Sequence, residues 1–295
     1  GGANLDYLTL GLVLEEIAAG DGGVSTTISV TNCPVNAILM RYGNAAQQQK
    51  WLTRLAQGEL LGAFCLTEPH VGSDASALRT TATRKGDAYV INGVKQFITS
   101  GKHGDVAIVI AVTDKGAGKK GMSAFIVPTA TPGYQVARLE DKLGQHASDT
   151  AQIRFENCRV PAENLLGDRG QGFYELMAFF NRTRTQIAGQ GLGLTRALLE
   201  ESINHAKNRQ MFGQRLADLL KRRLAQRTFA RGGDKCRQSV RQQRHKYANL
   251  YGHGMVWLIL PFEILQLLLQ HMFFRLQRNR SYKLQYLLNF CALFE

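Results

Sequence analysis

Tyr89-Val-Ile-Asn-Gly-Val-Lys-Gln-Phe-Ile-Thr99 breaks with the pattern of the chain before it. Up to Leu55 the apolar residues recur at helical spacing. Here β-branched and aromatic residues crowd into one short run. Ala63–Glu68 (AFCLTE), Val106–Thr113 (VAIVIAVT), Met122–Pro128 (MSAFIVP) and Ala151–Val160 (AQIRFENCRV) are runs of the same kind. Gly, Asp and Lys turns separate them. This is an antiparallel β pattern, a barrel or a sandwich, over about residues 62–165, closed by Pro161 and Gly167.

On the N-terminal side, residues 4–18 (NLDYLTLGLVLEEIA) set Leu5, Leu8, Leu12 and Ile17 at roughly helical spacing, and Asp21-Gly22-Gly23 ends that pattern. A second helix is expected over 24–42 with a break near Pro34. A third follows over Ala45–Leu55, with Trp51 and Leu55 on one face. On the C-terminal side the helical period returns from Phe173 to Leu219. The order helices, β, helices predicts an α+β fold with segregated layers. It divides the chain into an N-terminal helical part (1–61), a middle β domain (62–166), the start of a C-terminal helical domain (167–219) and a tail (220–295).

The formal net charge of +13 invites a nucleic-acid reading until it is split. Residues 1–219 carry 22 basic against 20 acidic side chains, and residues 220–295 carry 14 against 3. The basic character therefore belongs to the tail, which can bind polyanions non-specifically through counterion release. Within the tail, Val256–Phe274 is apolar but holds Pro261, Glu263, Gln266, Gln270 and His271. A carboxylate near mid-bilayer costs about 2.5 kcal/mol or more, so no membrane span is favoured. The apolar content of 44% excludes disorder and low complexity. Cys33, Cys65, Cys158, Cys236 and Cys291 form no C-x-x-C pair and no disulfide framework, which suits a reducing compartment. The first residues carry no initiator Met and no basic-then-apolar leader, so no signal peptide is read and the start is taken as truncated.

Several motifs fail. Gly116-Ala-Gly-Lys-Lys-Gly121-Met-Ser123 lacks the Lys after its last Gly that a phosphate loop needs, and reads as a surface hairpin turn. Gly189-Gln-Gly191-Leu-Gly193 lies in a helical pattern rather than after a strand, and reads as close helix packing. No HExxH or paired metal-ligand cluster occurs, and the seven His are dispersed. Asn181-Arg-Thr183 and Asn279-Arg-Ser281 match the glycosylation sequon by chance.

One series succeeds. Phe64-Cys-Leu-Thr67-Glu-Pro-His-Val-Gly-Ser73-Asp74 is followed by Ile91-Asn-Gly-Val-Lys-Gln-Phe97-Ile-Thr99-Ser-Gly101, by Leu143-Gly-Gln-His-Ala-Ser-Asp-Thr150, and by Arg209-Gln-Met-Phe212-Gly213. In order and spacing, over about residues 4–219, this resembles the acyl-CoA dehydrogenase family. The residues themselves suit a polar ligand edge: a strand runs into Thr-Glu-Pro, and the Gly-Ser-Asp turn offers hydroxyls and backbone N–H groups.

The resemblance implies FAD. Thr67 and Thr99 would hydrogen-bond the isoalloxazine, and Phe64 and Phe97 would pack near it. Ser73 would touch the cofactor or the CoA moiety. Arg209 would reach the FAD pyrophosphate, for which a guanidinium fork is suited, and Phe212 would lie near the adenine half. Asn181-Arg-Thr183-Arg184 stands where the family reads Asp-x-x-Arg against acyl-CoA. Arg184 matches; Asn181 departs from Asp. Read without the motif, Phe64, Phe97 and Phe212 are core residues, and Arg184 and Arg209 are solvated or paired charges.

The family oxidises an acyl-CoA thioester to its trans-2-enoyl form and passes electrons to an electron-transfer flavoprotein. The resemblance implies fatty acid or amino acid catabolism, a bacterial cytoplasmic or mitochondrial matrix location and a homo-oligomer, tetrameric or dimeric. The reaction needs a carboxylate base of raised pKa. The family's Tyr-Glu-Gly-Thr-like loop does not occur in these residues, and the alternative position holds Thr183. Glu175, Glu200 and Glu201 match neither place, so no base is assigned. From Leu219 the text leaves the family, as a frame change or a divergent module. Two further readings stand beside the enzyme: a non-catalytic or frame-altered remnant, and a basic tail that binds polyanions.

Overall fold

The computed structural model describes residues 6–221. The readings made of Leu5, Cys236, Cys291, the Val256–Phe274 run and the basic tail from residue 222 lie outside the described residues. Residues to Ala197 form one compact unit, and those from Leu198 belong to another.

The first unit begins with α1 (Tyr7–Gly20) and α2 (Gly22–Val30). Asp21 ends one and starts the next: its carboxylate accepts the N–H groups of Gly23 and Val24, the donors a helix start leaves unpaired. A π-helical turn, Thr31–Asn36, contains Pro34 and leads into α3 (Ala37–Tyr42). Proline has no N–H to give the ladder, and the widened turn absorbs the loss. Asn44 and Gln47 form a capping box for α4 (Ala45–Gln47), which continues through a π-turn, Gln48–Leu52, into α5 (Thr53–Ala56).

The strands are β1 (Gly62–Cys65), β2 (Thr81–Lys85), β3 (Ala88–Thr99), β4 (Val106–Val112), β5 (Met122–Pro128), β6 (Tyr134–Leu139), β7 (Thr150–Pro161) and β8 (Leu165–Leu166). Their order is β6-β7-β3-β2-β4-β5-β8, with β1 also on β4. The antiparallel expectation holds for most pairs but not for β1, which runs parallel to β4 from Gly62↔Val106 to Cys65↔Val109, nor for the short β2–β4 contact, parallel at Thr81↔Val112. A parallel pair needs a long connection, and between β1 and β4 the β2–β3 hairpin supplies it.

β4 explains the core. Its sequence VAIVIAV has no polar residue, as a strand covered on both faces requires. Val106, Ile108 and Ile110 join the helices in one apolar cluster, with Ile38, Leu39, Leu55, Leu176 and Phe179. Ala107, Val109 and Ala111 face the other cluster, with Tyr89, Phe125, Ile153 and Phe155. Each fully buried Ile is worth about 2–3 kcal/mol over exposure. Gly116–Gly121, the stretch superficially like a phosphate loop, is part of the turn between β4 and β5.

The long helix α6 (Gly172–Asn208) follows β8. A Cβ on Gly189 would stand 2.6 Å from the Gly11 carbonyl oxygen, and one on Gly193 2.0 Å from that of Glu15. The glycine run is therefore where α6 lies backbone to backbone on α1. Arg196 reinforces the contact by reaching Glu16 at 2.8 Å. This corrects the expected face of α1: Leu14 and Ala18 are buried, whereas Leu8 and Leu12 are 73% and 56% exposed. The contact passes through Gly11 and Glu15, so the stripe is rotated away from the leucines that carry the sequence pattern.

In the second unit the helical expectation through Leu219 holds at both ends, over residues 198–208 and 216–221, and is corrected between them. After Asn208 the chain makes a hairpin of β9 (Gln210–Met211) and β10 (Gln214–Arg215). Phe212 and Gly213 both have positive φ, 52° and 73°, the pattern of a two-residue turn.

Candidate functional site

The Thr67 turn and the Phe97 bulge are joined by a short backbone bond: the Gln96 N–H donates to the Thr67 carbonyl at 2.7 Å. Past β1, the turn closes on itself, because Glu68 and Val71 exchange N–H···O bonds around Pro69-His70. Ser73 follows, exposed, and Asp74 caps the short turn Ala75–Ala77 through the Ser76 N–H.

On β3, the register against β7 slips between Lys95↔Ile153 and Ile98↔Ala151, so three steps on β3 match two on β7. The extra residue makes a β-bulge. Phe97 takes a φ of 58° there and keeps 62% of its surface exposed. An aromatic residue in the left-handed region, with its ring in water, is doubly unfavourable, at about 1–3 kcal/mol for the backbone alone. Bulges of this kind re-aim side chains beside sites. Gln96 goes the other way: it is buried, donates to Glu140 and accepts from Gln152. Arg138 holds Glu140 at 3.0 Å.

The hydroxyls of Thr67 and Thr99, both half-buried, have no hydrogen bond within the described residues. The turn and bulge therefore present two free hydroxyls and one exposed aromatic ring. That donor set fits a flat, polar-edged ring such as the isoalloxazine of FAD, which has an aromatic face and a rim of nitrogens and oxygens.

Phe64 turns towards α6, with ring centroids 6.4 Å from Phe179 and 6.5 Å from Phe180. It belongs to the edge of the helix-side core, and it brings the β1 turn beside the residues just before Asn181. Asn181 and Arg184 are exposed. Thr183 is half-buried, and its hydroxyl donates to the Phe180 carbonyl at 3.1 Å. Arg184 pairs with no carboxylate among the described residues. Arg209 and Phe212 lie in the second unit: Arg209 is exposed directly after α6, and Phe212 is 88% exposed at the tip of the hairpin.

Two carboxylates of this region are buried: Glu68, to which sequence reasoning gives no role, and Glu175, which it weighs as a base and leaves unassigned. Glu68 is 3% exposed and Lys95 is fully buried, and they meet at 3.0 Å. Burial works against the charged Glu68 carboxyl, but Lys95 and the Arg79 and Thr80 N–H groups outweigh it and hold the pKa below the usual carboxylate range. Burial also lowers the Lys95 ammonium, and Glu68 opposes that. The available signal is the Lys itself, the one charged residue in β3. Glu175, in the first turn of α6, is 7% exposed, and its Oε2 has no partner. Burial raises its pKa to about 7, although the Asp168 backbone N–H works the other way.

Burial also pushes Cys33 and Cys65 up to about 12 and Cys158 up to about 11, so none of these thiols is reactive. Among the described residues there is no group of three side chains placed to hold a metal ion, and no helix long and apolar enough to cross a membrane.

Three family models match along the chain: the acyl-CoA dehydrogenase N-terminal domain at residues 1–59, the middle domain at 63–158 and the C-terminal domain at 170–230. The rat mitochondrial short-chain specific acyl-CoA dehydrogenase is 43% identical over 218 residues, 74% of this chain and 53% of that protein. The solved butyryl-CoA dehydrogenase of Megasphaera elsdenii superposes with a TM-score of 0.70 at 41% identity, covering 73% of this chain and 56% of that one. A glutaryl-CoA dehydrogenase of Mycobacterium smegmatis, solved in complex with FADH2, gives a TM-score of 0.69 at 35% identity, covering 77% and 58%. The chain spans about half the length of the curated relatives it matches.

Proposed function

The chain belongs to the acyl-CoA dehydrogenase family, and on that premise we propose that it carries the flavin cradle of an enzyme that oxidises an acyl-CoA thioester to trans-2-enoyl-CoA. The observation that carries this is the bulge at Phe97. It pushes an aromatic ring into solvent on the segment that carries Thr99 and is bonded to the Thr67 turn, at a backbone cost that a bound ligand would offset.

In this reading Thr67 and Thr99 bind the rim of the flavin, and Phe97 and Phe64 flank it. Arg209 meets the pyrophosphate and Phe212 the adenine half. Bound FAD supplies the acceptor for the hydride leaving the β-carbon. Ser73, Asn181, Thr183 and Arg184 face the CoA ester. Arg184, an exposed cation with no carboxylate partner among the described residues, is suited to its anionic part. Asn181 in place of Asp offers an amide where the family has a carboxylate, so it neither repels nor attracts charge there. Thr183 occupies the alternative place of the base. Its hydroxyl already donates to the Phe180 carbonyl, and at neutral pH it does not abstract an α-proton.

The relatives named short-chain specific and butyryl-CoA dehydrogenase make short acyl chains the substrate class to test. The electron acceptor is an electron-transfer flavoprotein, and the working form is a homo-oligomer. The compartment is that of the relatives, mitochondrial or bacterial cytoplasmic. The domain limits 1–61, 62–166 and 167–219 are kept as working boundaries.

The test is the visible flavin spectrum of the full chain reconstituted with FAD, before and after anaerobic butyryl-CoA. Bound flavin that bleaches supports the dehydrogenase. Bound flavin that stays oxidised keeps the cradle and removes turnover. Absence of bound flavin overturns the reading for this chain.

A further inference from the structure

Three consecutive residues of the turn after β1 are fastened to two consecutive residues of β3. Lys95 Nζ donates to the Leu66 carbonyl at 2.9 Å and to Glu68 Oε1 at 3.0 Å. Between them, the Gln96 N–H holds the Thr67 carbonyl at 2.7 Å. Glu68 is fixed in turn from a third segment, accepting the Arg79 N–H at 2.8 Å and the Thr80 N–H at 3.0 Å. Thr67 is the one residue of the three whose side chain is left over. Its backbone is clamped on both sides, and its hydroxyl is aimed by the clamp.

A buried ammonium is a costly way to fill space. An apolar chain of the same length would occupy the volume of Lys95 without desolvating a charge, and replacing a buried ion pair by apolar groups is often neutral or stabilising. What an apolar side chain does not provide is a donor for the Leu66 carbonyl, which lies past the end of β1, together with a counter-charge for Glu68. Two further titratable groups face the pair: the buried Cys65 thiol acts on Lys95, and His70 Nε2 lies 3.6 Å from Glu68 Oε2, with its side chain 38% exposed.

We propose that Lys95 and Glu68 are positioning residues for the flavin, whose role is to fix the Thr67 hydroxyl relative to Phe97 and Thr99. This rests on the assignment of Thr67 to the cofactor made above, and the experiment separates the two.

The full chain is titrated with FAD as wild type, as Thr67→Val, as the double variant Lys95→Met with Glu68→Gln, and as the three substitutions together. Far-UV circular dichroism checks each fold. The double variant leaves no buried charge unpaired. Loss of one oriented hydrogen bond corresponds to about tenfold in affinity, so the double variant and Thr67→Val each bind about tenfold more weakly. The triple variant binds no more than about twofold worse than Thr67→Val, because both changes remove the same contact. The flavin absorption band of the double variant moves to the position seen in Thr67→Val.

Binding by the folded double variant at wild-type strength while Thr67→Val is weak overturns the positioning role and leaves the cofactor site standing. Losses that multiply in the triple variant also overturn it, since a pair acting only on stability couples to no single hydroxyl. Thr67→Val binding like wild type, or a wild type that takes up no FAD, removes the cofactor assignment and the inference with it. Should the double variant not fold, Lys95→Arg and Glu68→Asp keep both charges and displace the donors, and the same coupling is read from them.

Discussion

A Cβ placed on Gly167 would stand 2.1 Å from Oε1 of Glu175. Gly167 has a φ of 65°, so the backbone favours glycine there. Burial of the Glu175 carboxyl raises its pKa from 4.5 to about 7, with the Asp168 charge adding to the rise and the Asp168 backbone N–H opposing it, and Oε2 has no hydrogen bond among the described residues. Between those values the folded chain holds a proton that the unfolded chain has released. The stabilising contribution is therefore complete below about pH 4.5 and is lost as pH rises through 7. The shift corresponds to at most about 3 kcal/mol. Denaturant midpoints between pH 5 and 8 are expected to fall for the wild type and to lose most of that slope in Glu175→Gln. An unchanged slope would place the titrating group elsewhere.

Gly193→Ala is expected to destabilise the chain by about 2–3 kcal/mol. The atom it would meet is the Glu15 backbone carbonyl oxygen, which cannot swing aside as a side chain does. Gly191→Ala, two residues away with nothing within 4 Å, is expected to be neutral or slightly stabilising. Thermal melts of the two variants side by side check the pair, and equal effects would refute backbone contact between α6 and α1.

Phe97→Asn separates stability from binding. Asn accepts the left-handed region more readily than Phe, and little apolar burial is lost from a ring that is 62% exposed. Stability is expected to stay level or to rise by about 0.5–1 kcal/mol. Affinity for FAD is expected to fall at the same time. A large loss of stability would mean that the ring packs on protein rather than on a ligand.

Lys95→Met alone leaves the Glu68 carboxylate buried without its counter-charge and is expected to cost about 3–5 kcal/mol. Adding Glu68→Gln in the same chain is expected to recover most of that. The depressed pKa of Glu68 means that its contribution is present above about pH 4.5 and is lost as pH falls through the folded value. The doubly substituted chain should therefore hold its unfolding midpoint better than the wild type between pH 5 and 3. Urea titrations across that range decide it.

The sequence carried the element order and the motif series, because both depend on local periodicity and on residues close together along the chain. Val106–Val112 is legible as a strand by composition alone. It was less informative where a contact sets the geometry. The buried stripe of α1 is chosen by Gly189 and Gly193, more than 170 positions away in sequence from Gly11, and no periodicity within α1 reports that. Phe212 reads as helical from its neighbours, yet the Phe-Gly pair makes a tight turn. Thr67 and Thr99 were named through the family. Lys95 reads as solvent-facing, as a charged residue in a strand does, until its partner Glu68, 27 residues earlier, is known.

The parallel pairing of β1 with β4 has a kinetic consequence. β2 and β3 form a hairpin whose strands are adjacent in sequence, so their contacts close over short loops. β1 meets β4 only across the 44 residues from Gly62 to Val106, and that closure must be completed before it yields any contact. The Thr67 turn hangs from the end of β1. The bulge at Phe97 waits on a longer closure still, because Lys95 meets Ile153 and Ile98 meets Ala151 on β7, so both halves of the cradle arrive with long-range steps. A chain that has formed only the β2–β3 hairpin therefore has neither the bulge nor the turn in place, and the cradle is a late product of the sheet rather than a feature of any local segment.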